Sequence, residues 1–477
     1  MLELKKICLI LYCLFSIQAS LAAELPVLGD STSGIISLEE EYQIGQIWLS
    51  NARAHTKLIY DPMLNDYLEH LVYRLAAHSE LKTPRLTVLV LDQESINAFA
   101  VPGGVIGINV GLLLYAESEA ELSAVLSHEI AHLSQRHFAR SLAESQNTQR
   151  ISFAALLASI AIAATQGADP GLAAIASTQA FAVQSSLEFS RQNEQEADRL
   201  GMNTLAASGM DPYAMPRLFQ KMKDASNIPE FLLTHPVTES RIADANNKAA
   251  QFPPAPLSQE DLEYQLIRTR TLIMLSKASH KDDIRRFAAA LSDINAPTSN
   301  TIYRYGLANA YIKAQSSQEA LKILQSLRQQ DPTRIDYIIT EAEALLISHQ
   351  YVAASTLLQQ ALAMNPNNYV LSVYEAKSLL RNHQAAQAVS LLETQLAKQP
   401  NNIYLWRLLA DASSAAHHNI SAYQAQAEIL FLLNQHNQAI EQLKYALNLA
   451  KNNYQLSAKI ALRIEEIKQY KKNLAQF

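Results

Sequence analysis

A repeat of 34 residues in the second half of this 477-residue chain constrains its fold more than any other feature. Prolines recur at that interval, and so do two series of alanines: Pro332, Pro366 and Pro400; Ala308, Ala342, Ala376 and Ala410; Ala320, Ala354, Ala388 and Ala422. Small side chains at two fixed positions let the two helices of a repeat pack closely. The period therefore predicts a stack of helix pairs.

A 34-residue period with proline at its end is typical of tetratricopeptide repeats, which form α-solenoids with a concave surface for peptides or proteins. We predict such a solenoid over residues 300–477, preceded by a linker and a bridging helix pair over 252–299. The last alanines, Ala427, Ala439 and Ala446, leave the 34-residue phase, which predicts a shared or truncated final unit. The net charge is −6 and no long basic run occurs, so no nucleic-acid partner is expected.

The first 22 residues have the composition of a secretory signal peptide. Two lysines precede an apolar stretch from Ile7 to Ile17, well short of the ~20 residues of a transmembrane helix. Small residues follow, and we expect cleavage after Ala22 or Ala23, with an uncleaved anchor as the alternative. Both cysteines, Cys8 and Cys13, lie in this segment, so the exported chain would have no disulfide.

Residues 23–251 show a mixture of helix and strand signals. Capping signals predict helix starts at Ser37, Asp61 and Ser118, and apolar runs predict a small sheet from strands at 85–91, 98–101 and 105–109. Residues 151–165 are small and almost wholly apolar, and after a break at Gly167 to Gly171 a second alanine-rich run continues to about Val183. We interpret them as a buried helical hairpin, with a flap over an active site or a peripheral membrane contact as the alternatives.

The helix predicted to begin at Ser118 carries the sequence His128-Glu129-Ile130-Ala131-His132. Histidines at positions i and i+4 face one side of a helix and can chelate one zinc ion, while Glu129 lies beside them to take a proton from the attacking water. A catalytic zinc usually has three protein ligands, so a third is required. His137 does not have the spacing of an extended zinc motif, and we interpret it as a surface or core histidine.

A pair of acids one helical turn apart supplies the third ligand. The sequence Glu194-Gln195-Glu196-Ala197-Asp198 begins a helical run, so Glu194 could bind zinc while Asp198 supports a ligand histidine from behind. Glu196 is the alternative ligand. The chain thus has the residues for a zinc site built from two helices.

These residues resemble the metallopeptidase family that includes the HtpX heat-shock protease and the CAAX prenyl endopeptidases. The family's motifs occur in order over about residues 40–242: Asn97-Ala98-Phe99, Pro102-Gly103-Gly104, the H-E-x-x-H at His128, the E-x-E-A-D at Glu194, and His235-Pro236 with Arg241. The resemblance implies one Zn²⁺ per chain, bound by His128, His132 and Glu194, and Glu129 as the general base. The expected fold is mostly α: a zincin-type α+β metallopeptidase domain over 23–251 with a small β-sheet, followed by an α-solenoid of tetratricopeptide repeats.

His235 has no helix or strand pattern around it and is predicted on a loop near the site. Two roles fit its imidazole: donating a hydrogen bond to the oxyanion, or occupying the fourth zinc position as a plug until substrate arrives. A turn residue without a role in the chemistry is the third interpretation. The stiffening proline after His235 favours the plug.

With a signal peptide and the repeats, the resemblance implies a periplasmic zinc endopeptidase in the quality control of outer-membrane proteins. Its expected substrates are unfolded or misassembled outer-membrane proteins, and its repeats are expected to bind the outer-membrane assembly machinery. The alternative is a chaperone or scaffold whose repeats dominate and whose protease domain is latent. A non-proteolytic metal hydrolase is less favoured, since the strands over 98–109 suit pairing with an extended peptide.

Overall fold

The computed structural model of the chain describes residues 36–82, 85–144, 191–253, 262–292 and 297–474. The predicted signal peptide, residues 1–22, and the apolar segment 151–183 lie outside these residues. Within the described part, no helix combines the length and the hydropathy that a membrane span requires.

The first half of the chain combines helices with three short strands. Its elements are α1 (Leu38–His55), α2 (Pro62–Ala77), β1 (Thr87–Leu91), β2 (Ala98–Val101), β3 (Val105–Asn109), α3 (Val110–Tyr115), α4 (Glu119–Ser134), α5 (His137–Glu144), α6 (Arg191–Ala207), α7 (Ala214–Lys223), α8 (Phe231–Thr234) and α9 (Glu239–Ala249). The strand order is β1-β3-β2, with β1 parallel and β2 antiparallel to β3. Both β1 and β2 are therefore edge strands of the described sheet.

Capping residues begin three of these helices where the sequence predicts. Ser37 forms a complete capping box, because its hydroxyl accepts a hydrogen bond from the Glu40 N–H and the Glu40 carboxylate accepts one from the Ser37 N–H. Asp61 accepts from the Leu64 N–H at 3.0 Å and precedes a proline in the first turn of α2. The third cap is only half a box: Ser118 accepts from the Glu121 N–H, whereas the Glu121 carboxylate accepts from the N–H of Glu117.

The second half of the chain consists of helix pairs, and successive helices pack on one another except in the first pair, whose two helices both pack on the helix that follows them. They are α10 (Leu262–Leu275) with α11 (His280–Ser292), α12 (Pro297–Lys313) with α13 (Ser317–Gln330), α14 (Ile335–Ile347) with α15 (Tyr351–Met364), α16 (Tyr369–Arg381) with α17 (Ala385–Leu396), α18 (Ile403–Ala415) with α19 (Asn419–Leu432), and α20 (His436–Leu449) with α21 (Tyr454–Leu474). The predicted fold class, a mostly α chain with a small sheet and helical repeats, is confirmed.

One feature of the solenoid follows its 34-residue period, whereas its last helix pair departs from it. The turn inside four successive pairs contains one residue with left-handed backbone, at Gln315, His349, His383 and His417, spaced by 34 residues. The alanine spacing predicts a shared or truncated final unit, and the structure contradicts the truncation, because α20 and α21 form a pair of 14 and 21 residues. Here Ile460, Ile464 and Ile467 fill the interface, so the alanine pattern was not needed for the pair to form.

The two halves share one apolar core. A single cluster of buried side chains runs from Met63 in α2 to Ala425 in α19. Helix α2 packs against α4 on one side and against α10 and α16 of the solenoid on the other. The peptidase half is therefore held against the repeats at these helices, and α2 connects them to α4, which carries the site described next.

Candidate metal centre

Helix α4 carries the first part of the site and is buried on all sides. Its residues from Glu121 to His132 are buried in an unbroken run, and it contacts α2, α6, α7 and β2. His128, Glu129 and His132 are at most 4% exposed. Polar groups buried to this degree require partners, because each would otherwise lose its hydrogen bonds to water.

Helix α6 supplies those partners because it lies very close to α4. A Cβ atom on Gly201 would lie 3.0 Å from the backbone nitrogen of His128, so only glycine permits this approach without displacing the backbone. Glu194, Asp198 and Gly201 are separated by four and three residues and therefore share one face of α6. The close contact thus turns both carboxylates toward the histidines.

Four donor atoms converge between these helices. The Nε2 atoms of His128 and His132 lie 2.9 Å apart, and the carboxylate of Glu194 lies 3.5 Å from His128 Nε2 and 3.4 Å from His132 Nε2. The Nδ1 atom of His235, from the end of α8, lies 3.0 Å from Glu194 Oε1 and 3.3 Å from His128 Nε2. One ligand atom from each of the four residues lies within 4.8 Å of all the others.

The groups behind His128 orient its ring. Its Nδ1 lies 3.0 Å from Asp198 Oδ1, so the proton belongs on Nδ1 and the lone pair of Nε2 points to the centre. Asp198 in turn accepts two hydrogen bonds from Arg241, at 2.7 and 2.8 Å. Arg241 also donates to Glu194 Oε2 at 2.9 Å and to the carbonyl oxygen of Pro236 at 2.8 Å, so one guanidinium joins two acids of α6 to the loop that carries His235.

A second relay orients His132. His137 is fully buried; its Nδ1 lies 2.8 Å from His132 Nδ1, and its Nε2 lies 3.1 Å from Glu196. With the proton on Nε2 directed to Glu196, the Nδ1 of His137 accepts from His132, which directs the His132 Nε2 lone pair at the centre. Glu196 also pairs with Arg140 at 2.7 Å. The structure therefore places Glu196 behind a histidine, and Glu194 among the donors.

Glu129 lies next to the four donors. Its Oε1 is 3.5 Å from His235 Nε2. Burial raises the pKa of Glu129, although the nearby imidazoles oppose the shift and the backbone of edge strand β2 contributes a hydrogen bond from Ala100. The general base predicted from the sequence therefore lies between the donor cluster and the strand that could bind a peptide.

The titration behaviour of the cluster agrees with a cation site. Burial would raise the pKa of Glu194, but the charge of His235 and hydrogen bonds from the histidines lower it, so this carboxylate is ionised. Burial lowers the pKa of His132 well below its ordinary value, which keeps this ring neutral. Burial alone would lower the pKa of His128 as well, but Asp198 and Glu194 raise it to about 9, so this ring holds a proton at neutral pH that its Nε2 would release on binding a cation. Two lone pairs 2.9 Å apart repel unless a proton or a cation lies between them, and a donor set of imidazoles with one carboxylate is typical of zinc.

The structure thus brings together every site residue that the sequence singles out: His128, Glu129, His132, Glu194, Asp198 and His235. It adds roles for Arg241 and for His137. The sequence pointed to Arg241, since this residue follows His235-Pro236 in the order of the family's motifs. No sequence pattern pointed to His137, because its contact with His132 depends on the turn between α4 and α5, where Arg136 has a left-handed backbone.

Comparisons with known proteins agree with this geometry. The profile of Peptidase family M48 matches residues 62–249, and a tetratricopeptide repeat profile matches residues 345–412. The chain is 35% identical over 342 residues to the beta-barrel assembly-enhancing protease of Yersinia pestis, which covers 70% of this chain and 69% of that protein. It is 34% identical over 336 residues to the protein of the same name from Escherichia coli, covering 67% of this chain and 66% of that one. It is also 34% identical over 176 residues to the mitochondrial metalloendopeptidase OMA1 of Arabidopsis thaliana, covering 36% of this chain and 34% of that protein.

Proposed function

Because the chain belongs to the β-barrel assembly-enhancing proteases of peptidase family M48 and is therefore a metalloprotease, we propose that it is an exported zinc endopeptidase that degrades misfolded or stalled outer-membrane proteins and assists their assembly. The observation that supports the zinc chemistry is the convergence of His128, His132, Glu194 and His235 on one point beside Glu129. The support for the substrate class is the name that the relatives share.

In this proposal His128, His132 and Glu194 hold one zinc ion per chain. Bound there, zinc would supply a Lewis acid for the peptide carbonyl and lower the pKa of the attacking water. Glu129 takes the proton from that water and later delivers it to the leaving amine. Asp198 and His137 keep the two imidazoles in the tautomers that direct Nε2 at the metal.

Substrate would enter as an extended segment along β2. This strand is an edge of the described sheet, and the hydrogen bond of Ala100 to Glu129 places it beside the general base. Pairing with an edge strand fixes a peptide through its backbone and accepts varied side chains. That mode suits an enzyme that acts on unfolded polypeptides.

His235 is proposed to be a plug at the fourth zinc position, with the oxyanion donor as the alternative. The plug is supported by its Nδ1, which lies among the donors at 3.0 Å from Glu194 and 3.3 Å from His128. The two roles predict opposite effects of His235→Ala on cleavage of an unfolded model substrate at equal zinc content. Loss of a plug raises the basal rate, whereas loss of an oxyanion donor lowers turnover by roughly 10²- to 10³-fold.

Metal analysis of purified variants tests the ligand set. We expect His128→Ala and Glu194→Ala to lose most of their zinc, while Glu129→Gln keeps the zinc and loses cleavage, because Glu129 acts on water. His70→Ala and Glu117→Gln are matched controls, since both side chains are mostly exposed, at 77% and 71%, and lie outside the donor cluster. Full zinc occupancy in Glu194→Ala would remove it from the ligand set.

The chaperone alternative is favoured by the extensive repeat half, which is a typical protein-binding surface. A strain that carries Glu129→Gln distinguishes the chaperone function from the protease function, if the fate of a misfolded outer-membrane β-barrel protein is followed in it by pulse-chase. We expect that protein to persist in the variant and to disappear in the parent. If the variant cleared and assembled outer-membrane proteins as well as the parent, the repeats would be the main functional part.

Periplasmic location and removal of residues 1–22 are part of the same proposal. The name shared by the relatives points to the cell envelope, where β-barrel proteins are assembled. Intact-mass analysis of the chain from a periplasmic extract tests both, since cleavage after Ala22 or Ala23 gives two defined masses. Recovery of the full-length mass from the membrane fraction would favour the uncleaved anchor.

A further inference from the structure

A cavity of about 340 Å³ lies between the outer edge of β1 and the solenoid, away from the metal centre. On the peptidase side it is lined by β1 and by side chains of α1 and α2, and on the solenoid side by Tyr369 and the segment 398–404. Tyrosines surround it, namely Tyr60, Tyr73, Tyr369 and Tyr404. It adjoins neither the zinc ligands nor β2.

The edge of β1 that faces this cavity is only partly paired. The backbone of Lys57 to Ile59 runs antiparallel to its end, with the Ile59 N–H bonded to the Val90 carbonyl oxygen and the Asp92 N–H bonded to the Lys57 carbonyl oxygen, both at 2.9 Å. The chain then turns away into α2. The Thr87 N–H points inward to the carbonyl oxygen of Gly104, so the N–H and C=O groups of Val88 point outward.

These outward groups have no partner among the described residues. No described residue forms a hydrogen bond with the N–H or C=O of Val88 or with the N–H of Val90. The carbonyl oxygen of Ile59, which lies opposite Val90, accepts from the Asn65 side chain. Val90 is only 2% exposed. Val88 is half-buried, so its outward N–H and C=O groups face the cavity, and an unpaired strand edge of this kind is suited to an added strand.

The charges of the cavity select among extended segments. Arg53 reaches into it, donates to the carbonyl oxygen of Asn401 at 3.2 Å, and pairs with no carboxylate of the described residues. Burial lowers the pKa of this guanidinium, and the nearby Tyr60 opposes that shift. Lys398 adds a second cation and Glu69 the single lining carboxylate. A partly desolvated cation without a counter-ion favours an anionic ligand.

We propose that this cavity binds an extended acidic segment of an unfolded polypeptide, which adds to β1 at Val88 and places a carboxylate on Arg53. The polypeptide would thus have a holding site between the peptidase half and the solenoid, separate from the cleavage site at β2. The proposal takes its ligand class from the proposed function. It is tested by binding in a Glu129→Gln chain, so its failure would leave the zinc experiments unaffected.

The probe is a short fluorescein-labelled peptide of alternating threonine and valine with two glutamates, compared with the same peptide carrying two lysines. We expect the acidic peptide to bind at least about tenfold more tightly, and Arg53→Gln to remove most of that preference. Val88→Pro, which removes an outward N–H on an edge strand without breaking the ladder to β3, should also weaken binding. Arg285→Gln on α11, an exposed arginine outside the cavity, is the matched control.

Hydrogen exchange of the full chain provides the second measurement and does not depend on any variant folding. Bound acidic peptide should slow exchange at the amides of Val88 and Val90. Equal binding of the two peptides, equal affinity of Arg53→Gln and Arg285→Gln, or protection confined to β2 would each overturn the proposal.

Discussion

Replacement of Arg270 by methionine should weaken the contact between the two halves of the molecule and lower the free energy of unfolding. Arg270 lies on α10, is 8% exposed, and donates two 2.7 Å hydrogen bonds to the carboxylate of Glu343 in α14. The same guanidinium donates to Asp61 Oδ2 at 2.9 Å and to the hydroxyl of Tyr374 in α16 at 3.0 Å. Asp61 caps α2, so this one side chain joins a peptidase helix to three solenoid helices.

The magnitude follows from the groups left behind. Methionine fills part of the space but leaves the carboxylates of Asp61 and Glu343, whose side chains are 10% and 20% exposed, without the guanidinium, and Lys377 remains as a cation near Asp61. Removing one partner of such a network typically costs 3–5 kcal/mol, and we expect about that loss in the free energy of unfolding near pH 7. With an unfolding entropy of about 2.1 cal/mol/K per residue, a chain of this length should lose roughly 3–5 °C in transition temperature.

The loss should depend on pH in a defined direction. In the parent, burial alone would raise the pKa of Asp61, but Arg270 lowers it below its ordinary value. The ionised Asp61 therefore stabilises the fold above its pKa in the unfolded chain, and this stabilisation is lost as the pH falls through its pKa in the folded chain. In the variant, burial without the guanidinium raises the pKa of Asp61, so the penalty grows as pH rises. The difference between parent and variant should therefore shrink toward pH 4.

Urea unfolding followed by circular dichroism at pH 7 and at lower pH measures both effects. Arg285→Met is the matched control, because Arg285 pairs with Asp282 while their side chains are 76% and 55% exposed, and such a pair contributes at most about 1 kcal/mol. If Arg270→Met destabilised the chain no more than Arg285→Met, the network would not hold the two halves together. A loss that grew as pH fell would contradict the assigned charges.

Three further perturbations test the fold and the site. Desolvation and Glu263 raise the pKa of buried Asp336 to about 7, although Arg334 and Arg270 oppose the shift, so the free energy of unfolding should fall as pH rises from about 4 to 7. In urea titrations Asp336→Asn should remove about 2–4 kcal/mol of that fall, and an unchanged pH profile would contradict the assignment. Gly201→Ala should push α6 away from the backbone of His128 and weaken zinc binding on the order of tenfold in a competition titration. Gly209→Asn is the control, since a Cβ atom there meets nothing within 4 Å, and equal zinc affinities of the two variants would show that the helices can separate freely. A chain ending at residue 251 should aggregate or lack cooperative unfolding, because it exposes the face of α2 that packs on α10 and α16; a monodisperse fragment with sharp unfolding would show that the shared core is dispensable.

Features that depend on a few neighbouring residues could be predicted from the sequence. The caps at Ser37 and Asp61 and the turn around Gly103 lie where local patterns indicate, because each depends on bonds within about four residues. The pair His128 and His132 shares a helix face for the same reason, since the helical period sets their separation. The 34-residue period likewise identifies the solenoid, because each repeat packs mainly on its neighbours in the chain.

The tertiary structure decided what joins distant segments. Arg241 reaches Asp198 across 43 positions, His137 reaches Glu196 across 59, and Arg270 reaches Asp61 across 209, and no spacing rule connects such pairs. Each contact joins charged or polar side chains of which at least one is buried, and the cost of its lost hydration is offset only if the partner arrives in the right geometry. That geometry depends on helix packing over the whole chain, which a local pattern does not contain.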